Sequence, residues 1–446
     1  MATSSETSAD GPPDKPDNSA VVNIGLMGLG VVGTGVAAHI LGSNFSMADV
    51  TGRTVNLKKV LVRDASLTRD VELPAGVLTT NAEDILTDPD IHIVVEVMGG
   101  TDPAENYIKR ALSSGKHIVT ANKEVMAKSG PELMTLARQN NANLLFEASV
   151  GGGIPIVGCM MNELAANDIR SIRSIINGTT NYILTKMAHE GTAFKEALGE
   201  AQTLGYAESD PTNDIEGIDA SYKLTILASL AYRRSFQPSE VYCEGISKLE
   251  PQDFRYAEEL GYAIKSLAIA NLEEGAVQLR VYPALVPAEH MLAKVDGVYN
   301  AVEVDGSLCG PVLFHGMGAG RAPTTSAIIG DVVEAVRKMG SNSPLLEPHN
   351  GTELTVRPIG DLRSRYYVRL EVADHPGVLA QIAQILGDGQ ISIAAVLQRD
   401  THPETDSAEI VITTHPAKEE SMQNALKAMT ELPQVKRVSN TLRIEE

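Results

Sequence analysis

A glycine-rich loop between a strand pattern and a helix pattern constrains this chain more than any other feature. GLGVVG follows the β-branched run VVNIGLM and precedes VAAHIL, whose small and apolar residues suit a helix. In that context the three glycines permit a tight turn, close approach of a pyrophosphate and close helix–strand packing, and the helix N-terminus faces phosphate. The pattern predicts a dinucleotide-binding loop made of Gly28, Leu29, Gly30, Val31, Val32 and Gly33.

Residues 21–150 alternate between strand and helix patterns. Further strand patterns lie at 55–62, 91–97, 117–121 and 143–148, and helix patterns lie between them at 103–115 and 131–140. Near-continuous apolar strands that alternate with helices are typical of a parallel sheet covered on both faces. The predicted class is α/β, with a Rossmann-type dinucleotide-binding domain at 21–150.

The rest of the chain divides into smaller units. Residues 151–323 mix helix and strand patterns and predict a second, α+β domain, and a helix pattern at 324–340 returns to the nucleotide domain. A polar stretch broken by Pro and Gly predicts a linker at 341–365. Residues 366–446 have the order βαββαβ, which is ferredoxin-like. The Ser-, Pro- and Asp-rich residues 1–20 predict a disordered tail.

Charge and cysteine content exclude several classes of protein. The formal net charge of −20 repels nucleic acid and anionic membrane surfaces. No apolar run approaches the length of a membrane span. Cys159, Cys243 and Cys309 have neither disulfide nor metal-site spacing, so we expect a cytoplasmic protein.

The second strand pattern ends in LVRD, near the place where a dinucleotide ribose would lie. Arg63 favours NADP, because it can contact a 2′-phosphate, whereas Asp64 favours NAD, because it can accept from a ribose hydroxyl. A solvated Arg–Asp pair without a ligand is an equal alternative. Gly100 and Thr101 follow the pattern at 91–97 and should line the cofactor crevice.

An acid-rich stretch, GYAESDPTNDIEGIDASYKL, contains a single base, Lys223. A helix that starts at NDIE and is capped by Asn213 explains several of the acids without any function. It does not explain Asp219 and Lys223, which lie four residues apart on one helix face beside apolar positions. Carboxylates here, including Glu208, would suit a substrate that carries an ammonium group, and the lysine would transfer a proton at the reacting oxygen.

Six motifs then resemble homoserine dehydrogenase in the same order. They are GLGVVG, TANKEVMA (120–127), EASVGGGIPI (147–156), INGTTNYIL (176–184), LGYAESDPTNDIEGIDASYKLTILA (204–228) and GMGAGRAPTTSAIIGD (316–331). The resemblance covers residues 21–340. DHPGVLAQIA (374–383) is similar to an ACT domain, a regulatory appendage. Because no kinase-like region precedes residue 21, the chain resembles the monofunctional form.

The resemblance implies NAD(P)-dependent interconversion of L-aspartate 4-semialdehyde and L-homoserine, in threonine, methionine and isoleucine biosynthesis. It makes Lys223 the proton donor and Lys123 of TANK a second catalytic residue that faces both cofactor and substrate. Proton transfer by Lys223 alone and proton transfer shared with Lys123 are the two alternatives. The implied substrate-binding residues are Glu208, Asp219, Asp214, Gly178 and Thr179, and Gly320 is a further cofactor contact. A structural sodium ion is implied at Glu147, Val150, Gly152 and Ile154, bound through backbone carbonyls. A glycine-rich hinge is the alternative for that loop.

Residues 151–323 are thereby implied to bind substrate and to form a homodimer or homotetramer, and the ACT domain to bind L-threonine. An ACT domain that only dimerises the chain is the alternative. Two other functions compete: an amino-acid dehydrogenase on the same scaffold that acts on aspartate, and a non-catalytic regulator that binds nucleotide and amino acid. The two lysines among carboxylates favour homoserine dehydrogenase over both.

Overall fold

The computed structural model describes residues 21–42, 46–339, 354–402 and 406–445. The predicted tail and residues 341–353 of the predicted linker lie outside these ranges. No helix among the described residues is long and apolar enough to cross a membrane.

The first domain is a parallel sheet with helices on both faces, as predicted. Its strands are β1 (Val22–Met27), β2 (Val55–Leu61), β3 (Leu78–Thr79), β4 (Ile91–Glu96), β5 (His117–Thr120) and β6 (Leu144–Leu145). Its helices are α1 (Val31–Leu41), α2 (Met47–Thr51), α3 (Glu83–Leu86), α4 (Ala104–Ser113) and α5 (Lys123–Gln139). The strand order β3-β2-β1-β4-β5-β6 reverses at β1, which opens a crevice beyond the C-terminal ends of β1 and β4.

Successive side chains of β4 enter two different hydrophobic clusters. Val94 packs on one face in a cluster with Ile108 of α4. Ile93 and Val95 pack on the other face in a cluster with Val36 of α1. Because side chains alternate along a strand, a run of apolar residues buries both faces of the sheet. This burial fixes the strand ends that border the crevice.

Two elements differ from their predicted extent. Helix α5 includes residues 131–139 of the predicted 131–140 segment but begins already at Lys123, because the side chain of Asn122 caps it by accepting from the N–H of Val125. The predicted strand at 143–148 is reduced to the two residues of β6. The early start of α5 places Lys123 in the first turn of a helix at the crevice.

The second domain is built on the antiparallel strand order β12-β11-β7-β9-β10. Its elements are α6 (Val157–Met161), β7 (Ile169–Ile175), α7 (Gly178–Glu190), α8 (Phe194–Thr203), α9 (Thr212–Ile215), α10 (Ile218–Ala231), β8 (Tyr242–Cys243), α11 (Pro251–Glu259), β9 (Tyr262–Glu273), β10 (Ala276–Pro287), β11 (Tyr299–Gly306) and β12 (Gly310–Met317). The predicted start of the long helix at NDIE is wrong. Those residues belong to the short α9 and its end, and α10 starts only after Gly217, whose φ is +81°.

Helix α12 (Arg321–Lys338) follows β12 and packs on the first domain. Its Ile328 and Val332 are buried in the cluster that contains Val36 of α1. The turn before α12 is therefore held beside the glycine loop at the start of α1.

The C-terminal region has the predicted ferredoxin-like order. Its elements are β13 (Thr355–Val356), β14 (Arg363–Ala373), α13 (Val378–Asp388), β15 (Ile393–His402), β16 (Ser407–Thr414), β17 (Ala417–Lys418), α14 (Glu419–Thr430) and β18 (Val435–Ile444). Strand β18 pairs with β10, with Arg443 opposite Ala284, so one sheet runs through both units. Strand β13, inside the predicted linker, also pairs with β10.

Two buried arginines join this region to the second domain. Arg369, 1% exposed, lies 2.7 Å from Asp253 and 2.6 Å from Glu250 of the second domain. Arg443, 3% exposed, lies 2.7 Å from Glu244. A charge at such low exposure is costly without its partner, so these pairs hold the two units in one arrangement.

Candidate active site

The glycine loop leaves open space where a pyrophosphate would bind. Gly28 has φ of +102°, and a Cβ there would lie 2.9 Å from the carbonyl oxygen of Val97. A Cβ on Gly33 would clash with the carbonyl oxygen of Gly28, whereas one on Gly30 would meet nothing within 4 Å. Gly30 precedes α1 without a side-chain cap, so the first N–H groups of α1 are available to phosphate. The residues present fit a dinucleotide.

A cleft of about 480 Å³ lies between this loop and the second domain. Among its lining residues are the predicted Val32, Gly100, Lys123, Gly152, Glu208 and Lys223. The cleft therefore brings predicted cofactor residues and predicted catalytic residues to one place.

Two buried side chains, neither of them predicted, fix the first-domain wall of the cleft. Glu96, at the end of β4, accepts from Thr120 Oγ1 at 2.6 Å and from the N–H of Met98 at 2.8 Å. Asn122 donates to the carbonyl oxygen of Gly100 at 2.7 Å. These bonds tie the Gly100 loop to the start of α5, where Lys123 lies. An Asn directly before an apolar helix pattern is an N-cap signal that could have located Asn122.

The carboxylate of Asp219 lies between two lysines. Lys223, one turn along α10, donates to Asp219 Oδ2 at 2.7 Å and to the carbonyl oxygen of Ile176 at 2.9 Å. Lys123, from the first domain, forms an ion pair with Asp219 Oδ1. Asp219 is 3% exposed, whereas the Lys123 side chain is 44% exposed and borders the cleft.

Asn177, which was not predicted, connects the acids. Its amide donates to Asp214 Oδ1 at 2.7 Å and to Asp219 Oδ2 at 2.8 Å. Its oxygen accepts from the N–H of Thr180 and thereby caps α7. Asn177 therefore fixes the positions of Asp214 and Asp219 relative to the start of α7.

Burial and these contacts set the protonation of the cluster. Burial would raise the pKa of Asp219, but the two ammonium groups outweigh it and hold that pKa well below its ordinary value. Burial lowers the pKa of Lys223, and the attraction of Asp219 offsets this only in part. Burial also acts to lower the pKa of Lys123, but Asp219 dominates and the pKa is raised. Burial raises the pKa of Asp214. Lys223 is thus the lysine that releases its proton more readily.

The other predicted substrate residues surround this cluster. Glu208 lies on the exposed loop before α9 and lines the cleft. Thr179 Oγ1 donates to the carbonyl oxygen of Tyr206, which ties the Glu208 loop to α7. A Cβ on Gly178 would lie 2.8 Å from the carbonyl oxygen of Val298, so this tight contact excludes a larger residue.

The end of β2 places Arg63 and Asp64 apart from the cleft-lining residues. Asp64 Oδ1 accepts from the N–H of Ser66 at 2.8 Å and from its hydroxyl at 2.6 Å. These bonds lower the pKa of Asp64. Arg63 is exposed and makes no side-chain hydrogen bond or ion pair with the described residues.

The glycine-rich loop at 147–154 packs on the turn before α12. The N–H of Gly153 donates to the carbonyl oxygen of Met317 at 3.0 Å, and a Cβ on Gly152 would clash with the carbonyl of Gly318. Gly320 precedes α12 with φ of +115°. The close contact places Gly320 at the edge of the cleft, beside its lining residue Ala319.

The side chain of Glu147 caps α6. Its carboxylate accepts from the N–H groups of Val157, at 2.8 Å, and Gly158, at 2.7 Å. The part of the chain that the structure describes contains no group of three or more His, Cys, Asp or Glu side chains suited to a metal ion. A cation at this loop would therefore depend on carbonyl oxygens.

Three family models match separate parts of the chain. The model described as Homoserine dehydrogenase matches residues 155–333, and Homoserine dehydrogenase, NAD binding domain matches residues 28–147. The ACT domain model matches residues 366–434.

Individual proteins agree with the family models. A homoserine dehydrogenase of Neisseria gonorrhoeae is 40% identical to this chain, and the match covers 95% of this chain and 98% of that protein. A homoserine dehydrogenase of Synechocystis sp. is 44% identical, and the match covers 95% of this chain and 99% of that protein. A homoserine dehydrogenase structure from Thiobacillus denitrificans has a TM-score of 0.90 at 41% identity and covers 96% of this chain and 99% of that one. A hyperthermophilic archaeal homoserine dehydrogenase in complex with NADPH has a TM-score of 0.62 at 29% identity, over 74% of this chain and 100% of that one. The chain belongs to the homoserine dehydrogenase family and carries a C-terminal ACT domain.

Proposed function

We propose that Lys223 gives the proton to the carbonyl oxygen when this NAD(P)-dependent oxidoreductase reduces L-aspartate 4-semialdehyde to L-homoserine. The observation that carries the proposal is the position of Asp219, which is buried between Lys223 and Lys123, two lysines that line the cleft. Burial lowers the pKa of Lys223, which makes its ammonium group a better acid at neutral pH.

The bound nicotinamide supplies the hydride in reduction and accepts it in oxidation. Lys123, whose partly exposed side chain lines the cleft, orients the carbonyl oxygen between the two lysines. Asp219 holds both lysines and keeps Lys123 protonated. In the oxidative direction Lys223 takes the hydroxyl proton back.

The substrate's ammonium group binds to carboxylates. Within the described residues the carboxylate of Glu208 makes no hydrogen bond or ion pair, so it can accept from an ammonium. Asp219 and Asp214, joined through Asn177, extend the negative field beside the reacting carbon. Gly178 and Thr179 form the wall next to them.

We assign the cofactor to the glycine loop, with Gly100, Thr101 and Gly320 around it, and favour NADP over NAD. Two observations support NADP. The carboxylate of Asp64 already accepts hydrogen bonds from Ser66, and the side chain of Arg63, at the end of β2 where the ribose would bind, is exposed to solvent. The archaeal relative in complex with NADPH is consistent with this choice.

A structural sodium ion at the loop of Glu147, Val150, Gly152 and Ile154 is a further part of the proposal. Because Glu147 uses its carboxylate to cap α6, the ligands would be the four backbone carbonyl oxygens. Oxygen ligands of this kind suit a hard cation.

We further propose that the ACT domain binds L-threonine and pairs with a second copy in a homodimer or homotetramer. Residues 374–377, which we call the DHPG turn, directly precede α13 and end at Gly377, whose φ is +94°. The free N–H groups at the start of α13 can hold a carboxylate. Strand β15 is the outermost strand of the sheet, and Val396 on it and Leu379 on α13 are exposed. The unpaired Cys159, Cys243 and Cys309 support a cytoplasmic location.

A substrate comparison tests the central proposal. We would follow nicotinamide absorbance with L-homoserine, with 4-hydroxybutanoate, which lacks the ammonium group, and with L-aspartate. We expect kcat/KM for 4-hydroxybutanoate to be about 10–100-fold lower than for L-homoserine, because the Glu208 carboxylate loses its charged partner. We expect no turnover with L-aspartate. In Glu208→Gln the preference for L-homoserine should shrink through a higher KM. Equal rates for the two alcohols would contradict the assignment of the carboxylates.

A further inference from the structure

A second cavity lies where the second domain meets the ACT domain. It has a volume of about 320 Å³. Its charged lining residues are five arginines and three acids: Arg173, Arg280, Arg357, Arg363, Arg365, Glu273, Asp361 and Glu445. The arginines outnumber the acids in a chain whose net charge is −20. A cavity of opposite sign to its protein concentrates anions from solution.

The acids of the cavity do not neutralise all of its arginines. Glu445 lies 3.3 Å from Arg280, which is 5% exposed. Glu273 is 3.7 Å from Arg357. Asp361 pairs outside this set, at 3.0 Å from Lys418. The acids are therefore already engaged.

Two arginines of the cavity keep their donors open. Within the described residues, neither Arg173 nor Arg363 makes a side-chain hydrogen bond or an ion pair. The cross-strand neighbour of Arg173 is Glu303, but that carboxylate lies 3.6 Å from His290 instead. Each guanidinium has five N–H donors in a planar fork that matches a carboxylate or a phosphate.

The two open arginines also come from different units of the fold. Arg173 projects from β7 of the second domain, whereas Arg363 is the first residue of β14 in the ACT sheet. The buried Arg280 lies in the same cavity, on β10. An anion there would contact both units at once.

We propose that this cavity is a binding site for a small anion with phosphate or carboxylate groups, distinct from the catalytic cleft and from the DHPG turn. Arg173 and Arg363 bind it through bidentate, charge-assisted hydrogen bonds. Because the ligand joins the two units, it stabilises their contact.

Calorimetric titration of the full chain tests the site, with inorganic pyrophosphate as the phosphate probe and citrate as the carboxylate probe. Saturating NADPH occupies the glycine loop, and the ionic strength is held constant. We expect at least one probe to bind and to raise the melting temperature. In the double variant Arg173→Gln/Arg363→Gln, affinity should fall at least 10-fold, while Arg255→Gln, an exposed arginine on α11 outside the cavity, should bind as the unaltered chain does.

The pattern of binding identifies the ligand class. Preference for pyrophosphate supports a phosphorylated ligand, and preference for citrate supports a polycarboxylate. No binding of either probe, or equal affinity in the double variant, overturns the proposal. A third outcome also overturns the proposal: the double variant has a different molecular mass in sedimentation but the same affinity for the probes. The two arginines would then contact a second copy of the chain and not an anion.

Discussion

Lys223 and Asp219 form a 2.7 Å ion pair across one turn of α10, in which the carboxylate is 3% exposed and the lysine side chain is 12% exposed. The second lysine at this carboxylate, Lys123, belongs to the other domain. The arrangement of these three side chains therefore depends on how the two domains meet, and a change at Asp219 should affect both lysines together.

Replacing Lys223 by Ala should lower kcat by about 10²–10⁴-fold, because a positioned acid–base group is lost. Cofactor affinity and melting temperature should change little. Lys128→Ala is the matched control, since that lysine lies on the exposed side of α5 and pairs with Glu124. Steady-state kinetics of both variants, in the direction of reduction and in that of oxidation, measures the effect. A near-normal kcat in the Lys223 variant would show that Lys223 is not the proton donor.

Asp219→Asn should shift the pH profile of semialdehyde reduction. The carboxylate raises the pKa of Lys123 and opposes the lowering of the pKa of Lys223. Without it both pKa values fall, so the protonated donor is lost at lower pH and the basic limb of kcat moves to lower pH. Asp214 forms no hydrogen bond or ion pair with either lysine and acts on them only from farther away, so Asp214→Asn should move that limb less. An unshifted limb in Asp219→Asn would separate this carboxylate from the proton transfer.

Arg63→Ala should weaken NADP binding more than NAD binding. A charge-assisted hydrogen bond contributes about 1.5–3 kcal/mol, or about 10–100-fold in Kd, and only NADP offers the extra phosphate. Arg53→Ala, before the opposite end of the same strand, is the control. Fluorescence titration with NADPH and NADH measures both affinities, and equal losses would show that Arg63 does not contact the 2′-position.

Threonine should inhibit the enzyme, and Asp374→Asn should raise the half-inhibitory concentration about 10-fold, because a charged partner of the effector is lost. Uninhibited activity should stay unchanged, because Asp374 lies outside the catalytic cleft. Asp388→Asn, at the other end of α13, serves as the control and should keep normal inhibition. Isoleucine and methionine test the identity of the effector. If none of the three amino acids inhibits, the ACT domain has a structural role only.

Arg369→Ala should destabilise the protein by about 3–5 kcal/mol, because it leaves the buried carboxylate of Asp253 without its partner. Arg437→Ala is the control: this arginine also contacts Glu250 but is 52% exposed, so its loss should cost less than about 1 kcal/mol. Urea unfolding of both variants gives the comparison. Equal midpoints would mean that the buried pair does not hold the ACT sheet in place.

The sequence predicted those parts of the candidate site whose residues lie close together in the chain. The glycine loop depends on residues adjacent in sequence, and the Asp219–Lys223 contact depends on one helical turn, so both follow from spacing. Helix α5 was predicted too short, because Pro131 and Gly130 are usual at helix ends. Buried side chains such as Val125 and Leu133 keep the helix continuous through them.

Contacts between distant segments could not be predicted in this way. Lys123 reaches Asp219 only because α5 and α10 pack together, and no periodicity in either helix encodes that contact. The same holds for Asn177, whose N-cap position is visible in the sequence but whose bonds to Asp214 and Asp219 are not. The pairing of β18 with β10 joins residues as far apart in sequence as Ala284 and Arg443. Because no local pattern indicates that pairing, the ACT region was predicted as a separate domain.

The pairing of β18 with β10 also affects how the protein is made. Strand β18 leaves the ribosome well after β10, yet the two strands are neighbours near the middle of the strand order. Until it emerges, the edge of β10 that faces β18 has no partner there, and unpaired strand edges in incomplete chains are prone to association. Shortening the chain before β18 would leave that edge permanently open. For this enzyme, point variants are therefore a safer way to study the ACT region than its removal.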